Sequence, residues 1–371
     1  MSTFLELGVE ANIIKGLNEL KIFTPTEIQE EAIPLLLNNE TDFVGLAQTG
    51  TGKTAAYGLP VLHKIDAEKP QIQALILSPT RELVLQIKKQ LFKFTKYSED
   101  KIFTEAVYGG EKIDIQIKNL KRPTHIVVAT PGRLVDLMER GDIKLTSVTT
   151  LILDEADEML SMGFKDDLTK IIRETGRQKS TWLFSATMPE GIQQIVKKYM
   201  SPKAPRVETN RKSLINENIT HQFIRVTRSN KEAILVNLLD SKKEERGIIF
   251  TRTKANAQQV TKLLKEEGFS VEALEGNMQQ KEREKAMRAF KKENIQFMVS
   301  TDVSARGIDV QDLGFVIHYQ LPEQLEYYTH RSGRTARAGK TGFSIALVLP
   351  HEIELMKDIS KKLEIQFIER K

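Results

Sequence analysis

The sequence predicts an α/β protein of two consecutive lobes, each a mainly parallel sheet flanked by helices, joined by a short linker. Three observations carry this prediction. At 371 residues the chain exceeds what one hydrophobic core usually serves. Short apolar and β-branched runs alternate with helical periodicity, as parallel sheets covered on both faces require. The alternation also stops and restarts across MSPKAPRVETNRKSLINENIT (200–220), where two prolines, few apolar residues and mixed charges mark a linker. The expected boundaries are 1–205 for the first lobe, 206–215 for the linker and 216–371 for the second lobe.

Taken in order, the first-lobe strand runs are FVGL, ALIL (74–77), HIVVAT (125–130), TLILDE (150–155) and WLFSAT (182–187). The second lobe continues with GIIFT (247–251), SVEAL (270–274), FMVSTD (297–302), FVIHY (315–319) and FSIALVL (343–349). Between them, NAQQVTKLLKEEG typifies the helices. Val260, Leu263 and Leu264 share a face there, and Gly268 supplies the stop. Trp182 falls on an apolar strand and is expected in the core. The lysine-rich QIKKQLFKFTK reads as a solvated helix face, and KKLEIQFIERK as an amphipathic end.

Composition narrows the function classes. Hydrophobic residues at 40% and charged residues at 28% are globular proportions, not those of a disordered chain. With 55 Lys and Arg against 50 Asp and Glu, the net charge of +5 permits a polyanionic partner without establishing one. The absence of cysteine excludes disulfides and thiolate metal sites, and the six histidines lack metal-ligand spacing. No signal segment or membrane-length apolar run occurs, so a soluble, cytoplasmic protein without a membrane partner is expected.

In open parallel sheets, ligands bind beyond the carboxyl ends of the strands, and the unusual segments of this chain all sit there. AQTGTGKT (47–54) follows FVGL. Gly50 and Gly52 let backbone amides approach a phosphate, and the next helix offers its N-terminus. Lys53 can reach the β- and γ-phosphates, and the Thr54 hydroxyl suits Mg²⁺. Thr49, Gly50, Thr51, Gly52, Lys53 and Thr54 are therefore the candidate nucleotide-binding residues, although Ala47 stands where the strict phosphate-loop pattern has glycine. A second acidic strand end completes such a site, and LILDEADEML (151–160) supplies it. Asp154 suits Mg²⁺, held through water, and Glu155 suits the water that attacks the γ-phosphate. Glu158 reads as a favourable charge in the first turn of a helix. In the second lobe, THRSGRTARAG (329–339) repeats arginine at 331, 334 and 337, which on one helix would share a face and suit phosphoryl oxygens.

Together these segments resemble the DEAD-box RNA helicases, superfamily 2 ATPases with two RecA-like lobes. The resemblance runs from Phe4 to about Leu349. It comprises, in the family's order, TEIQ (26–29), AQTGTGKT, PTREL (79–83), Gly109–Gly110, TPGR (130–133), DEAD (154–157), SAT (185–187), IIFT (248–251), QKER (280–283), STDVSARGID (300–309) and HRSGRTAR (330–337). It implies that residues 1–30 form the family's Q-motif region, with Phe4 and Gln29 serving the adenine of ATP. Asp309 would meet the ribose, and Arg334 and Arg337 the γ-phosphate. Asp157, Ser185, Thr187 and His330 would couple the nucleotide to lobe closure. Arg81, Gly110, Thr130, Arg133, Gln280, Arg283 and Thr301 would contact RNA through its backbone, without regard to sequence.

Departures from the family pattern are Lys21-Ile22 for its Gly-Phe, Glu27 for a proline, Glu275 and Asn277 in LEGNM, and His318 and Gln320 in VIHYQLP. Ser332 and Ala336 change spacers of the arginine segment. Phe23 is the nearest replacement ring for stacking on adenine. The resemblance implies an RNA-stimulated, Mg²⁺-dependent ATPase that unwinds short RNA duplexes or remodels ribonucleoprotein, with RNA-processing proteins as further partners. Two rivals stand beside this reading: an ATP-gated RNA clamp that does not unwind, which the motifs do not separate from it, and a DNA translocase of the same superfamily, against which the DEAD and SAT wording argues. The chain stops soon after the second lobe's core, as expected either of a minimal protein or of a piece of a longer one.

Overall fold

Among the described residues, fourteen strands are distributed equally between two sheets. The computed structural model describes residues 2–370 apart from 49, 177–178, 210–215, 243–244, 276–277, 279, 306–312 and 337–339, and leaves aside the side chains of Gln280, Val303 and Glu326. The chain divides into two units, Met1–Asn210 and Arg211–Lys371. Among the described residues no helix is long and apolar enough to cross a membrane.

The first unit contains β1 (Phe43–Leu46), β2 (Ala74–Leu77), β3 (Thr104–Val107), β4 (Ile126–Ala129), β5 (Thr150–Asp154), β6 (Ser180–Ser185) and β7 (Arg206–Glu208). They lie in the order β3-β4-β2-β5-β6-β1-β7. The second contains β8 (Ile219–Arg225), β9 (Gly247–Thr251), β10 (Val271–Leu274), β11 (Phe297–Thr301), β12 (Phe315–His318), β13 (Gly342–Val348) and β14 (Ile368–Glu369), in the order β10-β11-β9-β12-β13-β8-β14. Counted from each unit's first strand, the two orders are the same. The chain builds one topology twice, and all its described strand pairings are parallel.

Burial explains the apolar runs. In β2, Ala74 and Ile76 pack into one core cluster and Leu75 and Leu77 into another, one on each side of the sheet. Trp182 is fully buried in the first cluster, and its indole N–H donates to the Thr41 carbonyl at 3.1 Å. The helix Lys254–Glu266 ends as its sequence predicts. Gly268 adopts φ +84°, its amide donating to Lys265 O and that of Phe269 to Leu264 O.

The expected linker is corrected at its start. Arg206–Glu208 forms β7, paired with β1 from Val44↔Arg206 to Leu46↔Glu208. Beside β1 the sheet would otherwise end in unpaired N–H and C=O groups; this segment satisfies them, and Val207 packs on the core. Residues 210–215 lie outside the described set.

Candidate functional site

β1 and β5 both lie against β6, with Leu46 beside Ser185 and Asp154 beside Phe184. The loop after β1 and the carboxylate ending β5 are therefore one strand apart, ~10 Å across the sheet. In the loop, Gly50 and Gly52 adopt φ +83° and +91°, which suits residues without a Cβ. At Gly52 a Cβ would also lie 2.3 Å from the Gln29 amide nitrogen. Lys53 opens the helix Lys53–Lys64; its buried ammonium donates to Ala47 O at 2.9 Å, closing the loop on itself. Thr51 donates to Gln48 O at 2.7 Å, and Thr49 lies outside the described residues.

The segment around Gln29 clamps this loop. At the start of the helix Glu27–Asn38, Gln29 Oε1 accepts from the Thr26 amide at 3.0 Å, the half of a capping box that the Thr-x-x-Gln spacing predicts. The free ends of both side chains then reach the loop: Thr26 Oγ1 donates to Thr51 O at 2.8 Å and Gln29 Nε2 to Gly52 O at 2.9 Å. Phe4 does not join them. Its ring is only 3% exposed within the core cluster of Leu7, Val9 and Leu17, so it has no face open to a base. Phe23 is 64% exposed.

Asp154 is buried, and both its oxygens have protein donors. Oδ2 accepts from the Tyr57 hydroxyl at 2.9 Å and Oδ1 from the Glu155 amide at 3.0 Å. Burial raises its carboxyl above the usual range; the Lys53 charge and the Tyr57 bond oppose that rise. Glu155 holds φ +50°, a left-handed conformation uncommon for a residue with a Cβ, as the chain turns from β5 into the helix Ala156–Ser161. Asp157 faces the segment after β6. Its Oδ2 accepts from the Thr187 amide at 2.9 Å and hydroxyl at 2.8 Å, and its own amide donates to Ser185 Oγ at 3.1 Å. Glu158 stands in the first helical turn as expected, but it is buried rather than solvated.

The first-lobe residues expected at RNA gather at the other half of the same sheet edge, beyond β2, β4 and β3. Arg81 begins the helix Arg81–Phe94, with its guanidinium 4.6 Å from the centre of the Tyr108 ring. Gly109 and Gly110 are exposed, Gly110 at φ +85°, and Gln116 holds this turn through both the amide and the carbonyl of Tyr108. Thr130 caps the helix Pro131–Glu139, and Arg133 donates to Glu111 O at 3.1 Å. Nucleotide candidates thus occupy the ends of β1, β5 and β6, and RNA candidates the ends of β2, β3 and β4.

In the second lobe, Arg283 donates to Ser304 O at 2.8 Å, and the Thr301 hydroxyl to Ser304 Oγ at 3.1 Å. Gln280 opens the helix Gln280–Lys291, its side chain outside the described set; Asp309 and Arg337 also lie outside. The arginine row needs correction. The helix Leu325–Ser332 carries His330 and Arg331 but is capped by Gly333, so Arg334 sits in the following turn and shares no helix face with Arg331. Arg331 is itself 1% exposed and bound to Asp302 through two bonds of 2.5 and 2.7 Å, to Gln320 O at 2.7 Å, and over the Phe250 ring. A guanidinium held this way is part of the lobe's interior.

The substituted His318 belongs to the same interior. It stacks on Tyr328 at 4.6 Å, shares a 2.9 Å hydrogen bond with Ser344, and neighbours Arg331. Burial first, then the Arg331 charge, hold its pKa well below the usual histidine value. His221, bonded to Tyr328 at 2.8 Å, is lowered by burial to about 4.

Residues 26–195 match the DEAD/DEAH box helicase family, and residues 230–339 match the helicase conserved C-terminal domain. Among curated proteins, the ATP-dependent RNA helicase CshA of Listeria monocytogenes is 42% identical over 366 residues, covering 98% of this chain and 69% of that protein. The DEAD-box ATP-dependent RNA helicase CshA of Geobacillus kaustophilus is 39% identical over 361 residues, covering 97% and 76%. Among solved structures, S. cerevisiae Dbp5 bound to RNA and ADP BeF3 superposes with a TM-score of 0.92 at 31% identity, covering 100% of this chain and 96% of that one.

Proposed function

The chain belongs to the DEAD-box family of ATP-dependent RNA helicases, with the ATP hydrolase activity of that class, and from this premise we propose how its residues divide the work. One observation carries the proposal: the carboxyl edge of a single sheet presents the phosphate loop and the Asp154–Glu155 pair at one half and the RNA candidates at the other. Hydrolysis on one half can therefore answer to occupancy of the other.

In this reading the loop amides and Lys53 hold the β- and γ-phosphates, and Phe23 or the remaining donor and lone pair of Gln29 meet adenine. Thr54 and Asp154 offer oxygen alone, the donor chemistry of a hard cation that otherwise keeps its waters, so these two residues hold Mg²⁺. When bound, that ion neutralises charge on the phosphates. Glu155 orients the attacking water and takes its proton. Asp157, through Thr187 and Ser185, passes the nucleotide state to the segment after β6. His330 and Arg334 act from the second lobe when ATP and RNA close the lobes, with Arg337 and Asp309 assigned by resemblance. Arg81, Gly110, Thr130 and Arg133, with Gln280, Arg283 and Thr301, grip the RNA backbone, and closure bends one strand away from its partner. Action in the cytoplasm on RNA or ribonucleoprotein belongs to the same reading.

A strand-displacement assay tests it. A short RNA duplex should separate when ATP is added, and RNA should outcompete DNA as the activator, the 2′-hydroxyl being the distinguishing group. ATP-dependent RNA binding without displacement would favour the clamp over the helicase mechanism. Glu155→Gln should keep ATP-dependent RNA binding and lose turnover; normal turnover would remove Glu155 from its role.

A further inference from the structure

Tyr57 was selected by no sequence motif, yet it lies at the centre of the nucleotide half of the site. It is on the second turn of the helix that Lys53 opens, three residues after Thr54, and its whole side chain is buried. Its hydroxyl donates to Asp154 Oδ2 at 2.9 Å, across 97 residues of sequence. The ring packs on Phe184 of β6, with centroids 5.2 Å apart, which fixes the position of the hydroxyl. One buried phenol thus holds the carboxylate assigned to the metal.

An ionised carboxylate offers about four lone-pair positions. The protein fills one on each oxygen of Asp154, Tyr57 at Oδ2 and the Glu155 amide at Oδ1. One remains on each oxygen, aimed away from these donors. The two donors together fix rotation of the carboxylate, and removing Tyr57 leaves only the one at Oδ1. A buried acid lacking that donor is also poorly solvated where it must act as an anion.

We propose that Tyr57 is a positioning residue that, by hydrogen-bonding Asp154, presets this oxygen ligand for the nucleotide-bound Mg²⁺. The proposal rests on the reading that Thr54 and Asp154 hold the ion, and its test separates the two. Manganese, a spectroscopic substitute for Mg²⁺, is titrated by electron paramagnetic resonance into the full chain saturated with a non-hydrolysable ATP analogue. Analogue affinity in EDTA and the melting temperature are measured alongside.

Tyr57→Phe keeps the ring and removes only the hydroxyl. It should weaken manganese binding about tenfold, the usual scale for losing a hydrogen-bond partner of a metal ligand, while affinity in EDTA and the melting temperature stay near wild type. Unchanged manganese affinity in Tyr57→Phe, with binding lost in Asp154→Asn, would overturn the role of Tyr57 and leave the metal site standing. Unchanged affinity in Asp154→Asn as well would overturn the metal site and the proposal with it. A Tyr57→Phe variant that loses affinity equally in EDTA would show that the hydroxyl supports the loop, not the ion, and would also refute the proposal.

Discussion

Asp302→Ala should destabilise the second lobe severely while leaving the first intact. Arg331 is 1% exposed, and Asp302 supplies two of its three hydrogen-bonded contacts with oxygen. Removing the carboxylate leaves a buried guanidinium with one carbonyl, Gln320 O, and the face of Phe250 for compensation. Breaking a buried pair in this way costs about 3–5 kcal/mol. The lower part of that range fits here, because the Asp302 side chain is 17% exposed and water can partly replace it. For a unit of this size the loss corresponds to a fall in melting temperature of roughly 6–20 °C. The sequence provides a convenient assay. Trp182 is the only tryptophan and lies in the first lobe's core, so its emission reports that lobe, whereas far-UV circular dichroism reports both. Asp302→Ala should split the dichroism transition and hold the fluorescence midpoint. Adding Arg331→Met should recover part of the loss by removing the unpaired charge. A second-lobe transition unmoved by Asp302→Ala would refute the reading of Arg331 as a buried structural charge.

Acid should weaken the same lobe. His221 is held at about 4 in the fold against an ordinary value of 6.5, so the unfolded chain takes up its proton first; stability is full above 6.5 and falls as pH drops toward 4, by about 3 kcal/mol. Urea midpoints at pH 7.5 and 5 measure this, and a His221→Phe variant should show a shallower dependence. Gly52→Ala combines a left-handed backbone, about 1–2 kcal/mol for a residue with a Cβ, with a collision against Gln29. Fluorescent-nucleotide titration should show affinity reduced roughly tenfold or more, and wild-type affinity would contradict the clamp described for Gln29. Thr187→Ala removes one of two donors to Asp157 Oδ2. Strand displacement should fall about tenfold, a loss of ~1.4 kcal/mol in coupling, with ATP turnover largely kept; equal losses in both would argue against a relay.

The phosphate loop and the DEAD segment were legible because their chemistry constrains residue type at fixed spacing. Glycine is needed at φ +83° and +91°, and a carboxylate at the end of a buried strand. The interior strands whose two faces are both apolar were legible; β8, reading ITHQFIR with buried and half-buried residues in alternation, was not. Of the edge strands only β10 was read; β3 (TEAV), β7 (RVE) and β14 (IE) are too short and polar to announce themselves, and backbone pairing forms them. Phe4 was misplaced because its aromatic character does not reveal which face is covered. The arginine row failed because its three-residue spacing implies a continuous helix, although Gly333 already signalled the stop. Tyr57 was invisible for a further reason: its partner lies 97 residues away, and only the sheet order brings them together.

Steady-state ATP turnover with and without single-stranded RNA tests most directly whether one sheet edge serves nucleotide and RNA together. Turnover should be slow alone and rise severalfold with RNA at saturating ATP. A rate indifferent to RNA would contradict this shared use of the sheet edge, whatever the fold.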